Sequence, residues 1–178
     1  MYGAKCSFFG HRKIVISKEL KQKVKATVET LIINNGVFTF LFGSRSEFDN
    51  LCHEIVTELK DKYPQIRRVC YTCKHETITL EKDKKKWEKI YSRIKNEEIN
   101  LLCYEEEFEH KTKYTSGKAS YVERNQAMID DSDYCIFYYD ENYTPESNKK
   151  ACFHKTNSGT KLAYIYAQRK KKTIYNFK

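Results

Sequence analysis

Residues 157 to 164 read Asn-Ser-Gly-Thr-Lys-Leu-Ala-Tyr, small and hydroxyl-bearing residues opening a helix-forming run. The first amides of a helix have no acceptor within it and stand at the positive end of its dipole. Ser158, Gly159 and Thr160 therefore have the composition of an anion cradle. A second stretch, CYTCKH, offers Cys70, Cys73 and His75 at metal-like spacing. A structural zinc takes four ligands, usually from two such knuckles. No matching Cys/His pair follows, and Cys103 or Cys152 would complete a set only by coincidence of folding. The expectation is no bound metal.

The rest of the composition narrows the class. A length of 178 residues with two prolines, six glycines and no Ser/Gly-rich linker predicts a single domain over residues 1–178. No window reaches the roughly 18 apolar residues of a membrane span, so no membrane partner is expected. The start, MYGAKCSFFGHRK, lacks the long apolar stretch of a signal peptide, and the expected location is cytoplasmic. Seven cysteines are an odd number, and Cys6, Cys70 and Cys135 sit in apolar strand-like runs, which favours reduced thiols over disulfides.

The formal charge of +9 is spread, with 24 acids among 33 Lys and Arg. The densest basic runs, EKDKKKWEK and QRKKK, read as a solvated helix face and a helix C-terminus favoured by the macrodipole. Neither has the interleaved aromatics or motif of a nucleic-acid surface, so a nucleic-acid partner is the lesser expectation.

These residues need elements to position them. Strand-like runs occur at AKCSFF, GVFTFLF, IRRVCYT, YCIFYYD and KTIYNF, with INLLCY weaker. Helical patterns lie between them. One starts at Ser17, carries Leu20, Val24, Val28, Leu31 and Ile32 on a stripe, and stops at Gly36. Another has a capping box of Ser44 with Glu47 and a stripe through Phe48, Leu51, Ile55 and Leu59. DKKKWEKIYSRIKN, KASYVERNQAMIDDS and SGTKLAYIYAQRK complete the set. Strands alternating with helices predict an α/β fold, a three-layer sandwich with a mostly parallel central sheet in which VFTFLF and YCIFYY are central. Ligands of such sheets sit at the carboxyl ends of strands. There the chain carries GHR, GSRSEFD and the segment from DENY to NSGT.

FFGHR, FLFGSRSEFD, YVERNQAMIDDSDYCIFYYDENY and SGTKLAYIYAQRKKKTIYN, in that order, resemble the SLOG superfamily. This Rossmann-like group includes the Lonely Guy phosphoribohydrolases and the DNA-processing protein DprA. The similarity runs nearly end to end, is weakest from about Lys74 to Thr115, and is greatest to small bacterial stand-alone members of unknown function. The resemblance implies a nucleotide-like ligand over the sheet and no further cofactor. Gly10 and Gly43 would let backbone approach phosphate or ribose, the amides of Ser158, Gly159 and Thr160 would cradle a phosphate, and Arg124 falls on the superfamily's ligand-binding arginine. Asn125 stands beside it, where the hydrolases carry Arg-Lys.

The hydrolases' signature, PGGxGTxxE, reads NSGTKLAY here, so Ala163 replaces the working glutamate and cannot act as acid, base or nucleophile. Glu123, Asp130, Asp131 and Asp133 are the candidate replacement acids. For the aspartates a polar helix face ending in a capping cluster is the stronger reading; for Glu123, beside Arg124, the two are closer. His11 and Arg12 sit at the expected ligand edge; for His11, ligand contact is evenly matched with a solvent-facing or hydrogen-bonded residue. Asp49 would bond a ribose or brace its own helix, and Ser44 lies in the same loop. The Tyr-rich runs are expected in the core, with Tyr138 or Tyr139 able to stack on a base. The predicted function is binding of a nucleotide or nucleotide-derived ligand, by sensing or sequestering it. The alternatives are an N-glycosidase, or a DprA-like single-stranded DNA binder. A homo-oligomer stays open.

Overall fold

A computed structural model describes residues 3–43, 46–73, 104–114, 117–144 and 157–178. The first strand, β1 (Lys5–Gly10), alternates its side chains between two apolar layers, with Cys6 and Phe8 on one side and Phe9 on the other. Helix α1 (Lys18–Asn35) forms as its pattern predicts. Ser17 Oγ accepts the Leu20 amide at 3.1 Å. The buried residues are Leu20, Val24, Val28, Leu31 and Ile32. Gly36 ends the helix with φ at 63°, in the left-handed region that a side chain would strain.

Strand β2 (Thr39–Phe42) leads to α2 (Glu47–Lys62), whose cap differs from the prediction. Ser46, not Ser44, is the N-cap, and its side chain accepts the Asp49 amide at 3.0 Å. Both serines have an acid three residues on, so the local signal was double. A tertiary contact decides between them: Glu47 Oε2 accepts the Ile14 amide at 2.8 Å and is spent on the loop after β1. Ser44 lies outside the described residues.

Strand β3 (Arg67–Cys73) pairs with β4 (Glu106–His110), which was not anticipated. EEFEH has no apolar alternation. It is an edge strand with little to bury, and its charges suit an edge exposed to water. The segment before it is clamped: Glu105 accepts from the Arg68 side chain and from Lys60. INLLCY, apart from Tyr104, and the DKKKWEKIYSRIKN helix fall outside the described residues.

Helix α3 (Gly117–Asp130), β5 (Tyr134–Tyr138), α4 (Gly159–Arg169) and β6 (Thr173–Asn176) complete the order. The six strands run β4-β3-β2-β1-β5-β6, every pair parallel. The result is a Rossmann-like α/β sandwich. Helices α1 and α2 cover one face, where Phe8 lies between Phe40 and Phe42. Helices α3 and α4 pack together on the other, over Phe9, Leu41 and Phe137. As expected, β2 and β5 are interior strands. Beyond β6 the ladder is continued by a side chain: Asn176 accepts the Tyr139 amide at 2.9 Å and donates to the Tyr139 carbonyl at 3.0 Å.

The aspartates after α3 belong to the amino edge of this sheet. Asp131 pairs with Lys5 Nζ at 2.8 Å and accepts the Tyr71 hydroxyl, while Asp133 accepts the Lys5 amide. Asp130 bonds Lys170 and Tyr166. Asp131 and Asp133 thus hold the start of β1, while Asp130 ties α3 to α4. Strand alternation also separates the thiols of CYTC. Three residues apart, Cys70 and Cys73 point to opposite faces of β3 and cannot ligate one ion together; His75 is outside the described residues.

Candidate ligand site at the carboxyl edge of the sheet

A parallel sheet opens a crevice where its strand order reverses. Here that point lies between β1 and β5, because β2, β3 and β4 extend to one side of β1 and β5 and β6 to the other. Gly10 stands opposite Tyr138 at the carboxyl ends of the two strands. Just beyond them, His11 Nε2 accepts the Asp140 amide at 2.9 Å, and its ring lies on Tyr143 with centroids 3.8 Å apart. His11 is 2 % exposed. Burial holds its pKa below the ordinary histidine value, against the opposing effect of Asp140. A neutral ring that accepts at Nε2 carries its proton on Nδ1. That buried Nδ1 has no hydrogen-bond partner among the described residues.

The two strand-end glycines are spoken for by the protein itself. A Cβ at Gly10 would lie 2.3 Å from Phe48 Cβ, and one at Gly43 would lie 2.5 Å from Met128 Sδ and 2.8 Å from Arg124 Nη1. Their small size lets α2 and α3 close on the sheet. The start of α2 is likewise filled by the chain: the Glu47 amide donates to the Arg12 carbonyl at 3.0 Å. Arg12 itself is exposed. Asp49 is buried in that first turn, where its amide donates to Ser46 Oγ.

Arg124 departs most from expectation. It is 2 % exposed, its Nη1 donates to the Tyr71 carbonyl at 3.2 Å, and its guanidinium stands 5.8 Å from the Tyr121 ring centroid. An arginine at an open ligand edge would hold little of the fold; this one ties α3 to β3 and roofs Gly43. Asn125 is also buried, and its Oδ1 has no partner among the described residues. Glu123 Oε2 accepts the Lys113 amide at 2.5 Å, fastening α3 to the segment after β4.

The start of α4 is different in kind. Ser158 Oγ accepts the Lys161 amide at 3.0 Å, which caps one orphan donor and leaves those of Gly159 and Thr160 without an acceptor inside the helix. A Cβ built on Gly159 meets nothing within 4 Å among the described residues. Lys118, in the first turn of α3, donates from Nζ to the Asn157 carbonyl and so stands beside this start. Sequence reasoning missed Lys118: its only signal was a lysine after Gly117, and its neighbour lies 39 residues away. The tyrosines considered for base stacking are used internally. Tyr139 stacks on Tyr164 of α4 at 4.6 Å, and Tyr138 packs on Phe48 at 5.7 Å. Ala163, which the sequence resemblance sets where the hydrolases carry their glutamate, is buried. The first amides of α4 beside Lys118 are of the kind that can hold an anion.

Comparison with known proteins agrees with this architecture. The model of the YspA SLOG family matches residues 8–173. The uncharacterized SPbeta prophage-derived protein YoqJ of Bacillus subtilis (strain 168) is 28 % identical over 148 residues, covering 81 % of this chain and 85 % of that protein. Among solved structures, DNA processing protein A from Helicobacter pylori, described for its single-stranded DNA binding mode, matches with a TM-score of 0.55 and 17 % identity. That match covers 97 % of this chain and 64 % of the other, so this chain spans under two thirds of the length of its structural neighbour. The likeness is one of fold.

Proposed function

The chain belongs to the YspA SLOG family, and from that premise we propose that it binds a nucleotide or nucleotide-derived ligand at the β1–β5 crevice, to sense or sequester it. The observation that carries the reading is the start of α4. It offers two helix amides with no acceptor in the helix, nothing among the described residues within 4 Å of a Cβ at Gly159, and Lys118 alongside. A phosphate there would meet the helix dipole, free N–H groups and a fixed cation. Ala163 argues for binding rather than hydrolysis, since the position cannot move a proton.

Isothermal titration with nucleoside 5′-mono-, di- and triphosphates tests this directly. The wild-type protein binds one of them, and Gly159→Leu weakens that binding at least about tenfold, because the leucine side chain fills the open space. The thermal midpoint stays near that of the wild type. If no member of the panel binds, the reading fails. Chromatography of the same mixtures for released base separates binding from N-glycosidase turnover.

A second reading rests on the fold likeness to DNA processing protein A together with the net charge of +9. Under it the partner is single-stranded DNA. A gel shift that weakens steeply with salt, and that mononucleotides do not compete, would move the function there.

A further inference from the structure

We propose that His11 selects the ligand by donating its Nδ1–H to a phosphoryl or ribosyl oxygen of the nucleotide bound at the crevice. The proposal rests on the nucleotide reading and adds the donor across from the helix start. Asp140 needs only an acceptor, and Nε2 supplies it. Nothing among the described residues uses Nδ1, which is buried without a partner. A buried donor left unmade is a standing cost to the fold; a ligand oxygen removes it.

The position suits that task. His11 lies 6.0 Å from the Tyr139 ring, and Tyr139 stacks on Tyr164 at 4.6 Å. Tyr164 follows Thr160 by four residues, on the same face of α4. His11 and the helix start thus flank one tyrosine pair. The cover over the imidazole is the ring of half-buried Tyr143, carried on a surface turn in which Asp140 accepts the Tyr143 and Asn142 amides. Turning that ring aside opens His11 without disturbing a strand.

Two substitutions divide the ring's functions. The side-chain amide of asparagine places a nitrogen as many bonds from Cα as Nδ1, and that of glutamine places an oxygen where Nε2 accepts. His11→Asn therefore retains the donor and loses the Asp140 partner; His11→Gln does the reverse. With nucleoside 5′-monophosphates and inorganic phosphate as titrants, His11→Asn should bind at least about tenfold tighter than His11→Gln, the scale of one hydrogen bond to a charged group. Thermal stability should rank the opposite way. Should affinity instead follow stability, His11 is only a brace and the proposal falls. Should both variants match a nucleotide-binding wild type, the proposal falls and the nucleotide reading stands. A wild type that binds neither these titrants nor nucleoside di- and triphosphates removes both. Nitrogen-15 spectra of the wild-type imidazole keep the test sound if a variant does not fold. The proton must reside on Nδ1, and that resonance must move when the bound monophosphate is added; a stationary resonance overturns the proposal.

Discussion

The guanidinium of Arg124 occupies the space that a side chain at residue 43 would need, with Nη1 2.8 Å from the place of a Gly43 Cβ. Glycine and arginine, 81 positions apart in the chain, form one packed unit that joins the end of β2 to the middle of α3. The glycine is required by the arginine, whatever is bound above them.

Alanine at the three glycines should therefore rank in stability. At Gly10 the new Cβ meets the Cβ of Phe48, which cannot swing away, and the cost should be the largest, about 3 kcal/mol or more. At Gly43 it meets the far ends of Met128 and Arg124, which can yield, and about 1–2 kcal/mol is expected. At Gly159 it meets nothing, so alanine should be neutral or slightly stabilising in the first turn. Urea midpoints of the three variants check the order; equal midpoints for Gly10→Ala and Gly159→Ala would refute it.

Arg124→Ala should destabilise the fold by about 1–3 kcal/mol, since the Tyr71 carbonyl loses its donor and the buried stem leaves a void. This reverses the expectation for an arginine at an open ligand edge. Denaturation in the absence of ligand measures it, and a loss below about 0.5 kcal/mol would count against the packing described.

Stability should fall with acid through Glu105. Burial pushes its pKa up, but hydrogen bonds from Arg68 and Lys60 outweigh that and bring it from 4.5 to about 2. A carboxylate lowered by folding stabilises the native state above its unfolded pKa. That contribution is lost as pH drops from about 4.5 toward 2. Glu105→Gln should thus be clearly less stable than wild type at pH 7, with the gap closing across that window. A gap constant from pH 7 to pH 3 would show that the pairing with Arg68 carries little weight.

Ser158→Ala should cost about 1 kcal/mol through the lost cap on the Lys161 amide. Because α4 leads directly into β6, amide exchange should rise in both together and leave α1 unchanged. Faster exchange confined to residues before Ser158 would contradict this.

The sequence was most legible where a signal is both local and unopposed. Helix α1 has one serine before its first turn, one apolar stripe and one glycine after it, and all three behave as read. Helix α2 offered two serines, each with an acid three residues on, and only the contact between Glu47 and the Ile14 amide, 33 residues apart, chooses between them. Strand β4 was illegible because its partner, not its own composition, makes it a strand. At the site, small residues at strand ends were readable as such. The reason for Gly10 was not, since it lies in Phe48 on another element. The burial of Arg124 was not legible, because a polar residue on a helix carries no mark of which face its helix will bury. His11 was readable only as a residue of the right edge; that its Nδ1 has no partner among the described residues appears once Asp140 is folded against it.

The side chain of Asn176 completing a rung with Tyr139 has a consequence for the order in which the protein is made. Strand β5 is synthesised before α4 and β6. Until they follow it out of the ribosome, its outer edge is an unpaired row of backbone groups on the apolar sequence YCIFY. Such an edge is a template for pairing with other chains. The charged residues around β6, Lys170 to Lys172 and Lys178, make a poor template in turn. Docking of β6 therefore exchanges an adhesive edge for a repellent one, and the same step seats α4. A nascent chain is at its most aggregation-prone just before β6 docks.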